Sequence, residues 1–161
     1  MMMFLTLEKV REIMAISFYS TLSRYGCFSN CSAHGFELDG YWWPTSEHYF
    51  QAQKFPGMPD ADEIRLAATP GEAANLGGDR NRPLRSDWEE VKYDIMQKAV
   101  FNKFAANSEI REILLSTSNE EIVYRSPVDL YWGQRKDGSG ENKLGKILMA
   151  VRDMLSSTIN N

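Results

Sequence analysis

Trp43-Pro-Thr-Ser-Glu-His-Tyr-Phe-Gln-Ala-Gln-Lys-Phe55 is the stretch from which the rest of this chain is best read. Pro44 and Thr45 mark a helix start, with Thr45 at the N-cap, where its hydroxyl can accept from a free backbone N–H. The predicted helix covers residues 45–55. Glu47 falls in its first turn, where the helix dipole favours a carboxylate. His48, Gln51 and Phe55 follow at helical spacing and are expected to share a face. An acid at a helix start among aromatics more often serves as a plain cap, and the alternative is a group that stabilises positive charge on a polar ligand.

Outward from this helix the chain reads as mainly α, with two or three short strands. Leu7 to Ala15 is expected to be a short helix and Ile16 to Tyr19 a strand. Asp39-Gly40 between apolar flanks signals a hairpin. A helix is expected over Asp60 to Ala68. Thr69-Pro70-Gly71-Glu72 forms a capping box that opens another helix, and Gly77-Gly78 stops it. Ser86-Asp87-Trp88-Glu89 reads as a second capping box. It opens the longest helix, to about Ala106, with Val91, Ile95, Ala99 and Phe104 inward. Ser108 to Ser116 adds a helix and Glu121 to Arg125 a strand. A glycine-rich loop spans Ser126 to Asn142, and Asn142 is expected to cap a last helix carrying Leu144, Ile147, Leu148, Val151 and Leu155 on its apolar face.

Composition bounds the function. At 161 residues the chain suits one domain with a real core, and its net charge of -4 argues against binding nucleic acid by charge alone. No apolar run is long enough to span a membrane. The start, Met1-Met2-Met3-Phe4-Leu5, lacks the length of a signal peptide, so a cytoplasmic location is expected. Cys27 and Cys31 are expected to be reduced thiols. With two histidines, His34 and His48, the chain offers no usual zinc pattern, and no metal or cofactor is expected. Gly140 to Ile147 imitates a phosphate loop but has Ile147 where a hydroxyl must reach magnesium.

What remains is a set of polar and aromatic residues in loops and helix starts. Glu47 and Trp88 sit in first turns, and Asp129-Leu-Tyr-Trp132-Gly133 lies in the long loop. Arg80, Arg82 and Arg85 precede the Trp88 helix. Two carboxylates, indoles and guanidiniums suit a sugar phosphate that carries a planar base. The carboxylates would stabilise an oxocarbenium-like transition state, the aromatics would stack on the base, and arginine would grip phosphate.

The opening stretch resembles the signature of the NADAR family of YbiA-like N-glycosidases. Other blocks fall in the family's order: Phe18-Tyr19, Gly26-Cys-Phe-Ser-Asn30, Pro83-Leu-Arg-Ser-Asp-Trp88, Lys103-Phe104, Asp129-Leu-Tyr-Trp-Gly133, Asp137-Gly-Ser-Gly140 and Asn142. The resemblance covers roughly residues 16–155, leaving 1–15 as an N-terminal extension or short helix and 156–161 as a tail. It implies a compact, mainly helical domain. It also implies hydrolysis of the C–N bond between ribose 5-phosphate and the pyrimidine amine of early riboflavin intermediates. Other branches imply removal of ADP-ribose from guanine in nucleic acid, and a non-catalytic ADP-ribose binding module is a further alternative.

By motif, the resemblance implies Glu47, Trp88 and Asp129 as catalytic. Substrate contacts are expected from Phe18, Tyr19, Asn30, His48, Arg80 and Arg85, and from Trp132, Gly133 and Asn142. The partner the resemblance implies is a small ribosylamino-pyrimidine phosphate; charge argues against nucleic acid, no membrane is expected, and the sequence leaves the oligomeric state open. The chain departs from the family pattern at Gly77-Gly78, Tyr124, Gln134-Arg135 and Cys31. These departures bear on substrate preference and leave the three catalytic positions intact.

Overall fold

The computed structural model describes residues 5–159, so the expectations for residues 1–4 and 160–161 lie outside the described part. Among the described residues there are seven α-helices: α1 (Leu7–Met14), α2 (Ser46–Ala52), α3 (Pro59–Arg65), α4 (Pro70–Gly77), α5 (Trp88–Ala106), α6 (Ser108–Ser116) and α7 (Lys143–Ile159). A 3-10 turn covers Gly26–Phe28. The four strands, β1 (Ile16–Phe18), β2 (Phe36–Leu38), β3 (Tyr41–Trp43) and β4 (Ile122–Tyr124), have three residues each. The mainly α expectation holds.

The strands pair in two small sheets. β2 and β3 form the expected hairpin, with Phe36 opposite Trp43. Asp39 and Gly40 turn it with φ of 54° and 82°, the left-handed pair that a tight hairpin turn requires. β1 pairs in parallel with β4, Ile16 opposite Ile122, and so ties the start of the domain to a segment more than a hundred residues later. That pairing carries no short-range signal.

The core has two buried clusters that meet across α2 and α5. Phe18, Phe28, Phe50, Met96, Val100 and Phe104 belong to one, together with the inner face of α7. Phe36, Trp43, Tyr49, Ala52, Phe55 and Ala99 belong to the other. Helix α2 sends Phe50 to the first cluster and Tyr49 to the second, so it is buried on nearly all sides. The expected apolar face of α7 is buried at all five positions.

Two local expectations change. Helix α2 stops at Ala52, so Phe55 lies beyond it, in the second cluster, rather than on a face shared with Gln51. The Ser86 capping box does not form: α5 opens at Trp88 with Asp87 at the N-cap and no side-chain cap bond. Asp87 is instead held by Arg85 through two contacts, Nε at 2.6 Å and Nη2 at 2.8 Å. Its charge goes to a guanidinium, a stronger partner than a backbone N–H.

Candidate active site

The start of α2 is fastened from two sides. Thr45 Oγ1 accepts from His48 N at 3.2 Å, the expected cap. The carbonyl of Asn30 accepts from Glu47 N at 3.1 Å, which satisfies another free amide of the first turn. Glu47 Oε1 accepts from Gln51 Nε2 at 2.7 Å, one helical turn on. No cation lies within ion-pair distance of this carboxylate among the described residues. Burial therefore pushes its acid strength down, raising the carboxyl above the ordinary range. The Gln51 bond and the charge of Lys54 oppose that shift, and the charge of Asp129 adds to it.

Asp129 is built into a tight turn. Its amide donates to Ser126 Oγ at 2.9 Å. Its Oδ1 accepts from the amides of Tyr131 and Trp132 at 3.1 and 2.8 Å, leaving Oδ2 without a partner among the described residues. Gly133 closes the turn: a Cβ there would meet Asp129 O and Tyr124 O at 2.9 Å.

A cavity of about 440 Å³ opens between these elements. Glu47, Gln51 and Lys54 reach it from α2 and the residues just after, Trp88 and Lys92 from α5, and Asp129 and Trp132 from the loop. Asn30 and Tyr124 also line it. The rings pack on one another, with Phe50 4.9 Å from Trp88 and 5.5 Å edge-on to Trp132. The Lys54 ammonium lies 5.5 Å from the Trp88 ring centre and donates to Gly77 O at 3.1 Å. Burial lowers its pKa, while Glu47 and Glu89 hold it up. Lys92 pairs with Glu89 and sits 4.1 Å from the centre of the Tyr131 ring. The result is a pocket with aromatic walls, two carboxylates and two ammonium groups, suited to a ligand that is partly planar, partly anionic and able to develop positive charge.

Five of the twelve expected site residues, Asn30, Glu47, Trp88, Asp129 and Trp132, line this cavity. The other seven do not. Phe18 is core, stacked behind Tyr124 at 5.3 Å, and Tyr19 lies outside, over Tyr124 at 6.1 Å. His48 is 1% exposed, with Nε2 donating to Ala67 O and Nδ1 against Thr45 Oγ1, so it ties the helix start to the α3–α4 turn. Gly133 supports the Asp129 turn from behind.

Asn142 stands at the N-cap position of α7, where its carbonyl accepts from Lys146 N at 3.0 Å, but its side chain neither caps the helix nor lines the cavity. Its Oδ1 accepts from Tyr124 N and its Nδ2 donates to Ile122 O, so the side chain substitutes for a neighbouring strand along β4. The free amides of α7 go instead to loop carbonyls, Lys143 N to Tyr131 O and Leu144 N to Trp132 O. The arginines do not line the cavity either. Arg85 is spent on Asp87, and Arg82 on Asp60 and Glu63, each at 2.8 Å. Arg80 is exposed, with no partner among the described residues.

The cations of the pocket, Lys54 and Lys92, are not among the residues expected from sequence. Helical spacing was the available signal: Gln51 and Lys54 stand four and seven residues after Glu47, and Lys92 four after Trp88. Among the described residues no group of His, Cys, Asp or Glu is arranged to hold a metal ion. No helix among them is long and apolar enough to cross a membrane.

Comparison with known proteins adds identity to this geometry. The NADAR domain model matches residues 17–156. The N-glycosidase YbiA of Escherichia coli (strain K12) is 45% identical over 150 residues, covering 93% of this chain and 94% of that one. Its solution NMR structure superposes with a TM-score of 0.85, covering 92% of this chain and 88% of that chain. An N-glycosidase of Nostoc punctiforme is 48% identical, covering 91% of this chain and 96% of its own length. The chloroplastic riboflavin biosynthesis protein PYRR of Zea mays is 40% identical over 92% of this chain, which spans 26% of that larger protein.

Proposed function

This chain belongs to the NADAR domain family, and on that premise we propose that it is an N-glycosidase. Its substrate is a ribosylamino-pyrimidine 5′-phosphate of the kind formed early in riboflavin biosynthesis. One observation carries the reading: Glu47, Trp88 and Asp129, which span more than eighty positions of sequence, line one cavity. Relatives named as N-glycosidases and as riboflavin biosynthesis proteins support the reaction type and the substrate class.

The chemistry follows from the charges. As the bond from C1′ to nitrogen lengthens, positive charge grows on C1′ and the ring oxygen. Two carboxylates without cationic partners stabilise that charge more than they stabilise the neutral ground state. Water adds to C1′ and gives up one proton, the departing nitrogen takes one up, and Glu47 relays the proton between them, so the carboxylate ends as it began. Glu47 suits the proton transfer, because burial moves its carboxyl toward the working pH. Asp129, with one oxygen pinned by two amides, orients water or sugar through the other. Trp88 and Trp132 hold the base, and Lys54 and Lys92 take the phosphate place that the sequence reading assigned to arginine.

The test is base release from a panel of ribosylamino-pyrimidine phosphates, NAD, ADP-ribose and ADP-ribosylated DNA. The pyrimidine phosphates should be cleaved fastest. Faster cleavage of the modified DNA, strengthened by longer strands and weakened by salt, would move the function to nucleic-acid repair chemistry.

A further inference from the structure

Lys103, on α5, is 1% exposed, and no carboxylate lies within ion-pair distance of it among the described residues. Burying an unpaired ammonium is expensive, and the cost is offset here by two charge-assisted bonds. Nζ donates to Cys27 O at 2.5 Å and to Ser29 O at 2.8 Å. Both carbonyls are junctions of one loop: Cys27 O also accepts from Ser32 Oγ, and Ser29 O from Ser32 N. The next residue, Asn30, lines the cavity, and its carbonyl holds Glu47 N. A continuous chain of bonds thus runs from a core ammonium to the backbone of the proposed catalytic carboxylate.

We infer that Lys103 is a positioning residue for the reaction, holding residues 27–30 against α5 and thereby setting the place of Asn30 and of Glu47. Burial draws its ammonium down to about 7, against the opposing influence of the Cys27 and Cys31 thiols. A neutral amine still has two N–H groups for two carbonyls, so the hold persists on either side of that value. The inference rests on the reading of Glu47 given above.

The experiment compares Lys103→Gln and Lys103→Met with wild type and with the core variant Leu155→Ala. It measures folding, steady-state kinetics on a ribosylamino-pyrimidine phosphate, and amide exchange. In the folded Lys103 variants, kcat should fall at least about tenfold, less for Gln than for Met, with KM within about twofold. The amides of Ser29 and Glu47 should exchange faster. Leu155→Ala should lose stability and keep its kcat. A folded Lys103 variant with wild-type kcat and unchanged exchange overturns the inference.

If neither Lys103 variant folds, the wild-type protein decides. Ser29 and Glu47 amides exchanging as fast as the exposed turn at residues 20–24 would overturn the inference, and strong protection would uphold it. If wild type releases no base from any pyrimidine phosphate, the substrate reading fails, and the exchange data still judge Lys103.

Discussion

The molecule handles charge in two opposite ways in two neighbouring regions. In the loop before α5, cation meets carboxylate: Arg82 reaches Asp60 and Glu63, and Arg85 grips Asp87. In the cavity, Glu47 is met by a neutral carboxamide and Asp129 by backbone amides, and Lys54 rests on a carbonyl and an indole face. Charges that neutralise one another within the fold have little left for a ligand. Charges held by neutral groups keep their field for whatever enters. Arg82 and Arg85 are therefore committed within the fold, whereas in the cavity we propose for chemistry Lys92 alone among these charges is paired, to Glu89.

The largest break in this contrast comes from removing one of the unpaired charges. Glu47→Gln should fold normally and lower kcat at least about a hundredfold, because an amide cannot stabilise a developing cation as a carboxylate does. Base release measured on the folded variant checks this, and near-wild-type turnover would remove Glu47 from the mechanism.

A smaller effect separates the two kinds of cation. Lys54→Met should raise KM for a 5′-phosphorylated substrate roughly tenfold, and Arg85→Met should change it by less than about twofold. The same comparison on the dephosphorylated nucleoside should show no difference between Lys54→Met and wild type. A KM effect confined to Arg85 would restore the arginine loop as the phosphate site.

The smallest effect is on stability and depends on pH. Burial raises the folded carboxyl of Glu47 above the ordinary carboxylate range, so ionising it costs the folded state. Its favourable contribution is complete below the unfolded value and is lost as pH rises through the folded one. Glu47→Gln should therefore melt about 2 °C or more above wild type at neutral pH, with the gap closing below the ordinary carboxylate range. Thermal melts across that range check the sign. A gap that widens in acid would show that Glu47 is held by a favourable interaction.

Local signals were legible at several places where neighbours in sequence are neighbours in space, though not at the Ser86 capping box, where Arg85 takes Asp87. The Thr45 cap, the Asp39-Gly40 hairpin, α6 and the buried face of α7 follow from turn chemistry and periodicity alone. The positions of Glu47, Trp88 and Asp129 came from resemblance to a family. That they line one cavity follows from β1 pairing with β4 and from α2 lying across α5, contacts that no local pattern encodes.

By itself the sequence determined the element order, the apolar faces and the residue types available for catalysis. Only the tertiary structure decided which charges are spent and which are free. His48 and Asn142 are polar residues beside helix starts, as ready to hold a ligand as Glu47 is. The fold uses both to satisfy backbone groups, His48 at Ala67 and Asn142 along β4. The reason is physical: a buried polar group must find a partner, and whether that partner is the protein's own backbone or a ligand depends on what long-range packing brings within about 3 Å.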